Sequence, residues 1–270
     1  MISLITLLTD FGLSDGFVAV MKGVILGLAP EARLVDITHT IRPQDIREAA
    51  IVLGRTTFHF PKDTIHVFVV DPGVGTDRRP IAAQVGPQRF VGPDNGALTL
   101  VFDRARRAGW PVEVVKLDQP RYWRPEISHV FHGRDIFAPV AAHWALGVPL
   151  TELGSIISDP ITFPLAPPER TPTGLRGEIV HLDHFGNIAT NIRADDLAGW
   201  ETAAVQVQVR GATVHSLVAT FGERAPGELI ALINSAGELG VAVVNGSAAR
   251  QLQAQVGDPV EVVRTASPDA

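Results

Sequence analysis

Acidic side chains stand at the ends of three predicted strands, where they are well placed to do chemistry. Asp10 ends a first hydrophobic run, residues 36–39 (Asp to His) end a second, and Asp71 ends a third. In an open parallel sheet, ligands bind outside the carboxyl ends of the strands, so these side chains should face one crevice. A single Asp at a strand end is more often a turn or cap residue. Three such ends on one edge favour a site for a small ligand.

Several short motifs suggest other chemistries but lack the context that those chemistries need. Gly73 and Gly75 are not followed by the third glycine and helix of a dinucleotide fingerprint, and no P-loop sequence occurs. DFG at 10–12 has no Gly-rich loop or Lys before it, and HGRD at 132–135 is not the kinase HRD loop. No nucleophile-elbow sequence surrounds the candidate serines, which are Ser155, Ser216 and Ser235.

A hydrolytic two-metal site is an alternative use of the same acids. Carboxylates and imidazoles are suitable ligands, and with no cysteine in the chain any metal would depend on them. The candidates are Asp10, Asp36, His39, Asp71, His132 and His184. No compact ligand motif such as HxH or HExxH accompanies them. Metal-dependent hydrolysis therefore remains an alternative that no metal-binding motif in the sequence supports.

The elements that must position these acids alternate between strand and helix in the first half of the chain, which is typical of an α/β domain. The predicted strands are 3–9, 33–38, 65–70, and runs near 80–85 and 111–117. The run at 65–70 is continuously apolar, as in a central strand covered on both faces. We therefore predict a mainly parallel sheet.

Apolar residues at helical spacing follow the first two strands and recur before residue 150. The first helix should bury one face made of Phe17, Val20, Met21, Val24 and Leu28. Asp45 is a candidate N-cap for the second helix, which Pro61 ends. The last helix carries Phe137, Val140, Ala141, Trp144 and Val148 on one face, despite Pro139.

A proline-rich stretch divides the chain. Residues 160–174 contain five prolines, too many for a helix or a central strand. We predict an α/β domain over 1–163, a linker over 164–174 and a smaller all-β, barrel-like domain over 175–270. In this last part short alternating segments such as VQVQV at 205–209 are separated by Gly, Asn and Ser.

Composition limits the class of protein and of partner. The 270 residues are 46% hydrophobic, enough for one or two domains with a sizeable core. A net charge of −6 argues against a surface built for nucleic acid or an anionic membrane, which favours a small-molecule partner. Without cysteine there is no disulfide framework. The first residues match neither a signal peptide nor a spanning helix, so we expect a cytoplasmic protein.

Six separated segments, in order along nearly the whole chain, together resemble one enzyme family. They are LLTDFGLSDGFVAVMKG at 7–23, VDPGVGTDRRP at 70–80, GPDNGALT at 92–99, FHGRDIFAPVAAHWALG at 131–147, HLDHFGNIATNI at 181–192 and INSAGELGVAVVNGSAA at 233–249. The family is that of the S-adenosyl-L-methionine hydrolases, or SAM hydroxide adenosyltransferases, which are related to fluorinating and chlorinating enzymes.

The resemblance implies a fold, an assembly and a reaction. The fold is a parallel-sheet domain joined to a small β-barrel-like domain. The assembly is a homotrimer whose substrate lies between the first domain of one subunit and the second domain of a neighbour. The reaction is attack of water at the ribose C5′ of S-adenosyl-L-methionine, which yields adenosine and L-methionine. No cofactor and no metal are implied.

A trio of Asp, Arg and His carries the reaction in this family, and its matching positions here are Asp71, Arg78 and His132. Elementary chemistry agrees with such a set. The sulfonium leaving group is already cationic and needs no acid, so the difficult part is presenting a dry, aligned water close to the carbon. A carboxylate, a guanidinium and an imidazole in contact can orient that water and accept its proton. Arg78 matches the family's Arg better than Arg79 does, judged by its separation from Asp71 along the chain. Because the two arginines are adjacent, both remain candidates.

The resemblance also implies substrate contacts. Asp10 would accept hydrogen bonds from both ribose hydroxyls, an arrangement suited to a vicinal diol. Asp15 and Asp183 would lie near the methionine ammonium. The adenine would stack between the rings of Phe185 and Phe221, and its edge would meet the amide of Asn187. The methionine carboxylate would meet the hydroxyl of Ser235.

Departures from the halogenating relatives favour hydrolysis. Gly133 stands where the fluorinating enzyme has a Ser beside its halide, and Asp71 stands where that enzyme has a Tyr. A fixed anion at Asp71 would repel a halide. The long insertion of the fluorinating enzyme is missing between Val85 and Gly92. Ala236 replaces the Arg that follows the carboxylate-binding Ser in those enzymes, a difference that concerns binding of the methionine carboxylate rather than the choice of nucleophile. A halide-dependent adenosyl transferase and a non-catalytic adenosine- or SAM-binding module remain the alternatives.

Overall fold

The computed structural model describes residues 3–265, which divide between Phe163 and Pro164 into two compact units. The first unit is built on a seven-stranded sheet. Its strands are β1 (Leu4–Thr9), β2 (Arg33–Thr38), β3 (Ile65–Val69), β4 (Pro80–Val85), β5 (Gln88–Pro93), β6 (Val112–Lys116) and β7 (Ser155–Ile157). Its α-helices are α1 (Phe17–Leu28), α2 (Ile46–Thr56), α3 (Thr99–Ala108), α4 (Ala138–Ala145) and α5 (Leu150–Leu153).

The sheet of the first unit is mixed, so a mainly parallel sheet is not confirmed. The strand order is β2-β1-β3-β5-β4-β6-β7. Pairs β2-β1, β1-β3 and β3-β5 are parallel, whereas β5-β4, β4-β6 and β6-β7 are antiparallel. The physical reason is the two-residue turn at 86–87, because strands joined by so short a turn can only run antiparallel. The sequence patterns predict no strand between 85 and 111, so β5 and this turn are not apparent from them.

Helices cover both faces of this sheet. Helices α1 and α4 pack on one face, with Met21, Ile25 and Val140 in its core. Helices α2 and α3 pack on the other, with Leu53 and Val101 in that core. The three layers bury the central strand β3 completely, as its continuous apolar run predicts.

The details of the helices agree only in part with the sequence patterns. The carboxylate of Asp45 accepts the backbone N–H of Glu48 at 2.8 Å, so Asp45 is the N-cap of α2, as predicted. Helix α1 instead buries a narrower face than its pattern suggests. Met21 and Ile25, one turn apart, are fully buried, while Phe17 is 48% exposed and Val20 43%. Within the predicted stripe, Met21 therefore lies in the core, whereas Phe17 and Val20 lie at its margin.

The second unit is an antiparallel sheet that nearly closes into a barrel, which confirms the all-β, barrel-like prediction. The strands are β8 (Glu169–Thr171), β9 (Gly174–Leu182), β10 (Ile188–Arg193), β11 (Val205–Val209), β12 (Ala212–His215), β13 (Leu229–Ile233), β14 (Glu238–Val243) and β15 (Pro259–Arg264), with helix α6 (Ala248–Leu252). The order is β12-β11-β15-β9-β10-β14-β13, and a bridge from Leu217 to Ala231 brings the two ends together. In β11 the three valines are buried and the two glutamines half-buried, as alternation requires.

The proline-rich segment at 164–174 is not entirely irregular, because β8 within it pairs with β9 as an edge strand. Between residues 3 and 265 no helix has both the length and the apolar character needed to cross a membrane.

Candidate active site

The carboxyl ends of β2, β1 and β3 lie side by side, since β1 pairs in parallel with both neighbours. Asp10 directly follows β1, and Asp71 lies two residues after β3. Thr9 is in register with Val69, so the two acids leave the sheet at the same edge. His39 directly follows β2 at this edge as well. The topology thus places the predicted strand-end groups of the first unit at one edge.

Asp71, Arg78 and His132 form one contacting set. The Nε of Arg78 donates to Oδ1 of Asp71 at 2.9 Å, and Nη2 donates to Oδ2 at 2.5 Å. The same Nη2 lies 2.8 Å from Nδ1 of His132. The side chains of Asp71 and Arg78 are only 4% and 8% exposed. A bidentate arginine of this kind fixes the plane of the carboxylate as well as its position.

The contact with Arg78 decides the protonation of His132. A guanidinium has only donors, so Nδ1 of His132 must accept and the proton of the neutral ring is assigned to Nε2. Burial, and then the positive charge of Arg78, lower the pKa of His132 below its usual value. His132 is therefore neutral at neutral pH, with Nε2–H as a donor.

Two glycines in the loop after β3 let this set assemble. A Cβ on Gly73 would lie 3.1 Å from Cγ of Arg78, so the arginine stem passes close over the glycine. Gly75 has a φ of +79°, and a Cβ there would lie 2.3 Å from the carbonyl oxygen of His129. Only glycine allows both that backbone conformation and that approach. The loop after β3 thereby packs against the segment that leads to His132.

Arg79 belongs to a different network. Its Nε donates to Oδ2 of Asp94 at 2.8 Å, and its Nη1 donates to Oδ1 of Asp159 at 2.8 Å. Oδ1 of Asp94 accepts the backbone N–H of Ile161 at 2.7 Å. The structure thus brings Arg78, and not Arg79, to Asp71.

Asp135 supports the segment around His132, a role that sequence reasoning missed. It is completely buried in the π-helical turn Gly133–Phe137 that leads into α4. Its carboxylate accepts from Nε of Arg134 at 2.6 Å and from the backbone N–H of Ser128 at 2.9 Å. An acid among apolar residues, beside an arginine, was the signal available in the sequence. The bonds tie residue 128 to the turn that begins after His132.

Asp10 is held by the segment that follows β2. Its Oδ2 accepts the backbone N–H of Gln44 at 2.8 Å, and Gln44 adopts a left-handed φ of +67° to make this contact. Beside Asp10, the rings of Phe11, Phe17 and Phe131 pack edge to face with centroids 5.4–5.9 Å apart. These rings join the loop of Asp10 to the residue before His132. Asp15, in the same loop, is exposed.

The predicted site residues of the second unit lie in turns. Oδ1 of Asp183 accepts the backbone N–H groups of Phe185 and Asn187, and Oδ2 accepts Nδ2 of Asn187 at 2.8 Å. The carboxylate therefore closes its own turn, as an Asx turn does. The ring of Phe185 is left 72% exposed.

Phe221 and Ser235 are also at the surface of the second unit. Phe221 is 43% exposed at the start of a single 3₁₀ turn. Ser235 is exposed in a turn where the side chain of Asn234 accepts the backbone N–H of Ala236 at 2.9 Å. Exposed aromatic rings such as Phe185 and Phe221 are apolar surface that a ligand can cover.

The residues considered as metal ligands contact other groups of the protein rather than form a ligand set. Asp71 is engaged by Arg78, and Asp36 contacts Lys22 and His39. Within the part of the chain that the structure describes, no three His, Asp or Glu side chains are arranged to hold a metal ion.

Comparison with family models gives two matches that together cover most of the chain. Residues 5–154 match the SAM hydroxide adenosyltransferase N-terminal domain, and residues 177–261 match the C-terminal domain of the same name.

Individual relatives agree with these matches. The chain is 42% identical to an (R)-S-adenosyl-L-methionine hydrolase of Salinispora arenicola over 96% of this chain and 97% of that protein. It is 40% identical to the hydrolase of the same name from Thermus thermophilus, over 95% and 98%. A fluorinase of an Actinoplanes species is more distant, at 29% identity over 88% and 90%. An uncharacterized conserved protein of Thermotoga maritima has a crystal structure with a TM-score of 0.89 and 37% identity, covering 96% of this chain and all of that one.

Proposed function

Because the chain belongs to the SAM hydroxide adenosyltransferase family, we propose that it is an enzyme that hydrolyses S-adenosyl-L-methionine to adenosine and L-methionine. The observation that carries this proposal is the contact set of Asp71, Arg78 and His132. Fluorinases are the more distant relatives, and the fixed anion of Asp71 disfavours a halide in this position.

In the proposed reaction, the oxygen of water forms a bond to C5′ while the bond from C5′ to the sulfonium breaks. Methionine leaves as a neutral thioether, so its sulfur needs no proton. The attacking water gains positive charge and must lose one proton. Asp71 accepts it, since the carboxylate oxygens keep lone pairs beyond those that Arg78 uses. The proton then passes to solvent.

His132 and Arg78 orient this step rather than take the proton. With Nδ1 engaged by Arg78, the Nε2–H of His132 donates to the oxygen of the water and directs its lone pair toward carbon. Arg78 holds the carboxylate and the imidazole at a fixed separation. Preorganised groups of this kind lower the barrier because they need no reorganisation during the reaction.

The substrate contacts are part of the same proposal. Asp10 accepts both ribose hydroxyls, and Asp15 and Asp183 attract the methionine ammonium. Phe185 and Phe221 stack on the adenine. Asn187 pairs with the edge of the adenine, and Ser235 meets the methionine carboxylate. The exposed rings of Phe185 and Phe221 support this arrangement, because each offers apolar surface in the free chain.

The experiment that tests the reaction is turnover in oxygen-18 water. The label should appear on the 5′ hydroxyl of adenosine, in the presence of a chelator as well as without one. Unlabelled adenosine, no turnover, or loss of activity on chelation would contradict a metal-free attack by water at C5′. Halide in excess should yield no 5′-halogenated adenosine.

A homotrimer with its site between subunits, and a cytoplasmic location, stay predictions of the sequence. The assembly can be tested by co-expressing Asp71→Asn with Phe185→Ala. If one subunit supplies Asp71 and another Phe185, mixed assemblies contain some intact sites and exceed the activity of either variant alone. If each site lies within one subunit, the activity of the mixture does not exceed the average activity of the two variants measured separately. Light scattering on the purified protein gives the number of subunits.

A further inference from the structure

Strand β1 carries two buried threonines, each paired with a histidine. Oγ1 of Thr6 lies 2.7 Å from Nδ1 of His66, and Oγ1 of Thr9 lies 2.9 Å from Nδ1 of His39. The threonines are completely buried, and the histidines are at most 4% exposed. The first pair lies in the middle of the sheet. The second lies at its carboxyl edge, directly before Asp10, and the reaction proposed above does not use it.

His39 is bonded to the chain on both sides of Asp10. Its ring contacts the hydroxyl of Thr9, which also accepts the backbone N–H of Phe11 at 3.2 Å. Its carbonyl oxygen accepts the backbone N–H of Gly12 at 2.7 Å. One residue of the segment after β2 therefore fixes positions 9, 11 and 12, and Asp10 lies within that span.

A charged pair orients the ring of His39. Nε2 lies 2.9 Å from Oδ1 of Asp36, although its N–H is poorly aligned with that oxygen. Oδ2 of Asp36 lies 2.6 Å from Nζ of Lys22. A carboxylate attracts a proton to the nitrogen that faces it, so Nε2 carries the proton and Nδ1 accepts. The hydroxyl of Thr9 then donates to Nδ1 of His39 and accepts from the backbone N–H of Phe11, so each hydrogen bond in this chain has a donor and an acceptor.

We propose that His39 is a positioning residue for Asp10: it holds the β1 loop so that the Asp10 carboxylate can accept both ribose hydroxyls at once. This inference rests on the ribose contact in the proposed function. Two hydrogen bonds to one carboxylate require its position to be held within about 0.5 Å. The N–H of Gln44 fixes Oδ2 of Asp10, and His39 fixes the backbone that carries the side chain.

The test compares the binding of adenosine with that of 2′,3′-dideoxyadenosine to the full chain by calorimetry. Hydrogen bonds to a charged acceptor make wild-type protein prefer adenosine by about 100-fold. Thr9→Val and His39→Gln remove the contact between Thr9 and His39, and we expect the preference to fall to about tenfold. Thr9→Ser and His39→Asn keep a hydroxyl and an acceptor near Nδ1, and they should restore most of it.

Thr6→Val is the matched control. It removes an equivalent buried hydroxyl from the same strand, at the pair with His66, and should lower stability without changing the preference for adenosine. If Thr6→Val lowers the preference as much as Thr9→Val does, the effect is general loosening and the positioning role is wrong. If His39→Gln fails to fold, the comparison of Thr9→Val with Thr9→Ser decides.

The outcomes separate this inference from the proposed function. Folded Thr9→Val and His39→Gln proteins that keep the wild-type preference overturn the role of His39. A wild-type protein with no preference overturns the ribose contact of Asp10 and the role of His39 together. A wild-type protein that prefers adenosine but incorporates no oxygen-18 contradicts hydrolysis alone, because binding requires no turnover.

Discussion

Arg78 and Arg79 are adjacent residues of the same type, and each pairs with an aspartate that is almost completely buried. Arg78 joins Asp71 to His132, two groups with a place in the proposed reaction. Arg79 joins Asp94, at the end of β5, to the exposed Asp159. The two side chains contact different groups of the first unit, Asp71 and His132 in one case and Asp94 and Asp159 in the other. The partners that each side chain reaches, rather than its residue type, distinguish the candidate site of Arg78 from the structural contacts of Arg79.

The partners show what each network does. The set around Arg78 leaves an imidazole N–H and carboxylate lone pairs available to a ligand. The network of Arg79 instead uses Asp94 to hold backbone at 161, which fastens the end of the first unit to its sheet. The contrast predicts that changes at Arg78 act on rate and changes at Arg79 on stability.

The largest expected effect is that of Arg78→Lys on turnover. Lysine keeps the charge, but a single ammonium cannot hold both carboxylate oxygens and Nδ1 of His132 in fixed geometry. We expect kcat to fall by about 10³-fold, a typical loss for acid–base machinery. Adenosine affinity, measured by calorimetry, shows whether the variant is folded. A kcat within tenfold of wild type would remove Arg78 from the mechanism.

The opposite result is expected for Arg79→Ala. It leaves the carboxylate of Asp94, whose side chain is 1% exposed, buried without its counter-ion. The free energy of unfolding should fall by about 3 kcal/mol, measured with denaturant, while kcat stays within tenfold of wild type. Asp159→Ala removes only the exposed partner, so its effect on the free energy of unfolding should be much smaller than that of Arg79→Ala. A rate loss as large as that of Arg78→Lys would erase the contrast between the two arginines.

Protonation of His132 at low pH should reduce activity by an amount between the effects of Arg78→Lys and Gly73→Ala. Protonated His132 cannot accept from Arg78, so activity is full while the ring is neutral and is lost as the pH falls through its pKa. Since burial and Arg78 lower that pKa in the free chain, the acid limb of kcat/KM should begin below about pH 6.5 and fall about tenfold per unit. Arg79→Ala should keep the same limb. A limb that begins above pH 6.5 would contradict a neutral His132 held by Arg78.

Gly73→Ala is expected to have the smallest effect. The added Cβ would press on Cγ of Arg78 from 3.1 Å, and a flexible side chain can move away from it. A displaced Arg78 should reduce kcat by about tenfold with a stability loss of about 1 kcal/mol. Gly23→Ala, in a part of α1 where a Cβ meets nothing within 4 Å, is the matched control and should leave kcat unchanged. Equal rates for the two variants would show that Arg78 tolerates displacement.

The sequence predicts much of the framework because hydrophobic periodicity and strand ends are local signals. The strands that carry Asp10 and Asp71 and the N-cap at Asp45 follow from such signals. Strand β5 does not, because Gly92 and Pro93 within it resemble a turn. The exposure of Phe17 and Val20 in α1 is not predicted, because an apolar stripe does not say which of its margins meets a neighbouring element.

The candidate site is less predictable, since its contacts join residues far apart in the chain. Asp71 and His132 are 61 positions apart and meet only through Arg78. Choosing between two adjacent arginines requires the direction of each side chain, which no local pattern gives. The turn of Asp183 illustrates the reverse case: its hydrogen bonds are local, and Asp, Gly and Asn within residues 183–187 are residue types typical of turns.

The tight turn between β4 and β5 has a consequence for how such a protein can grow. Because β5 runs parallel to β3, this turn lies at the end of the sheet opposite to Asp10 and Asp71. Extra residues there lengthen the hairpin and leave the strand ends beside the candidate site in place. The longer insertion expected at this point in fluorinating relatives is therefore compatible with an unchanged site scaffold.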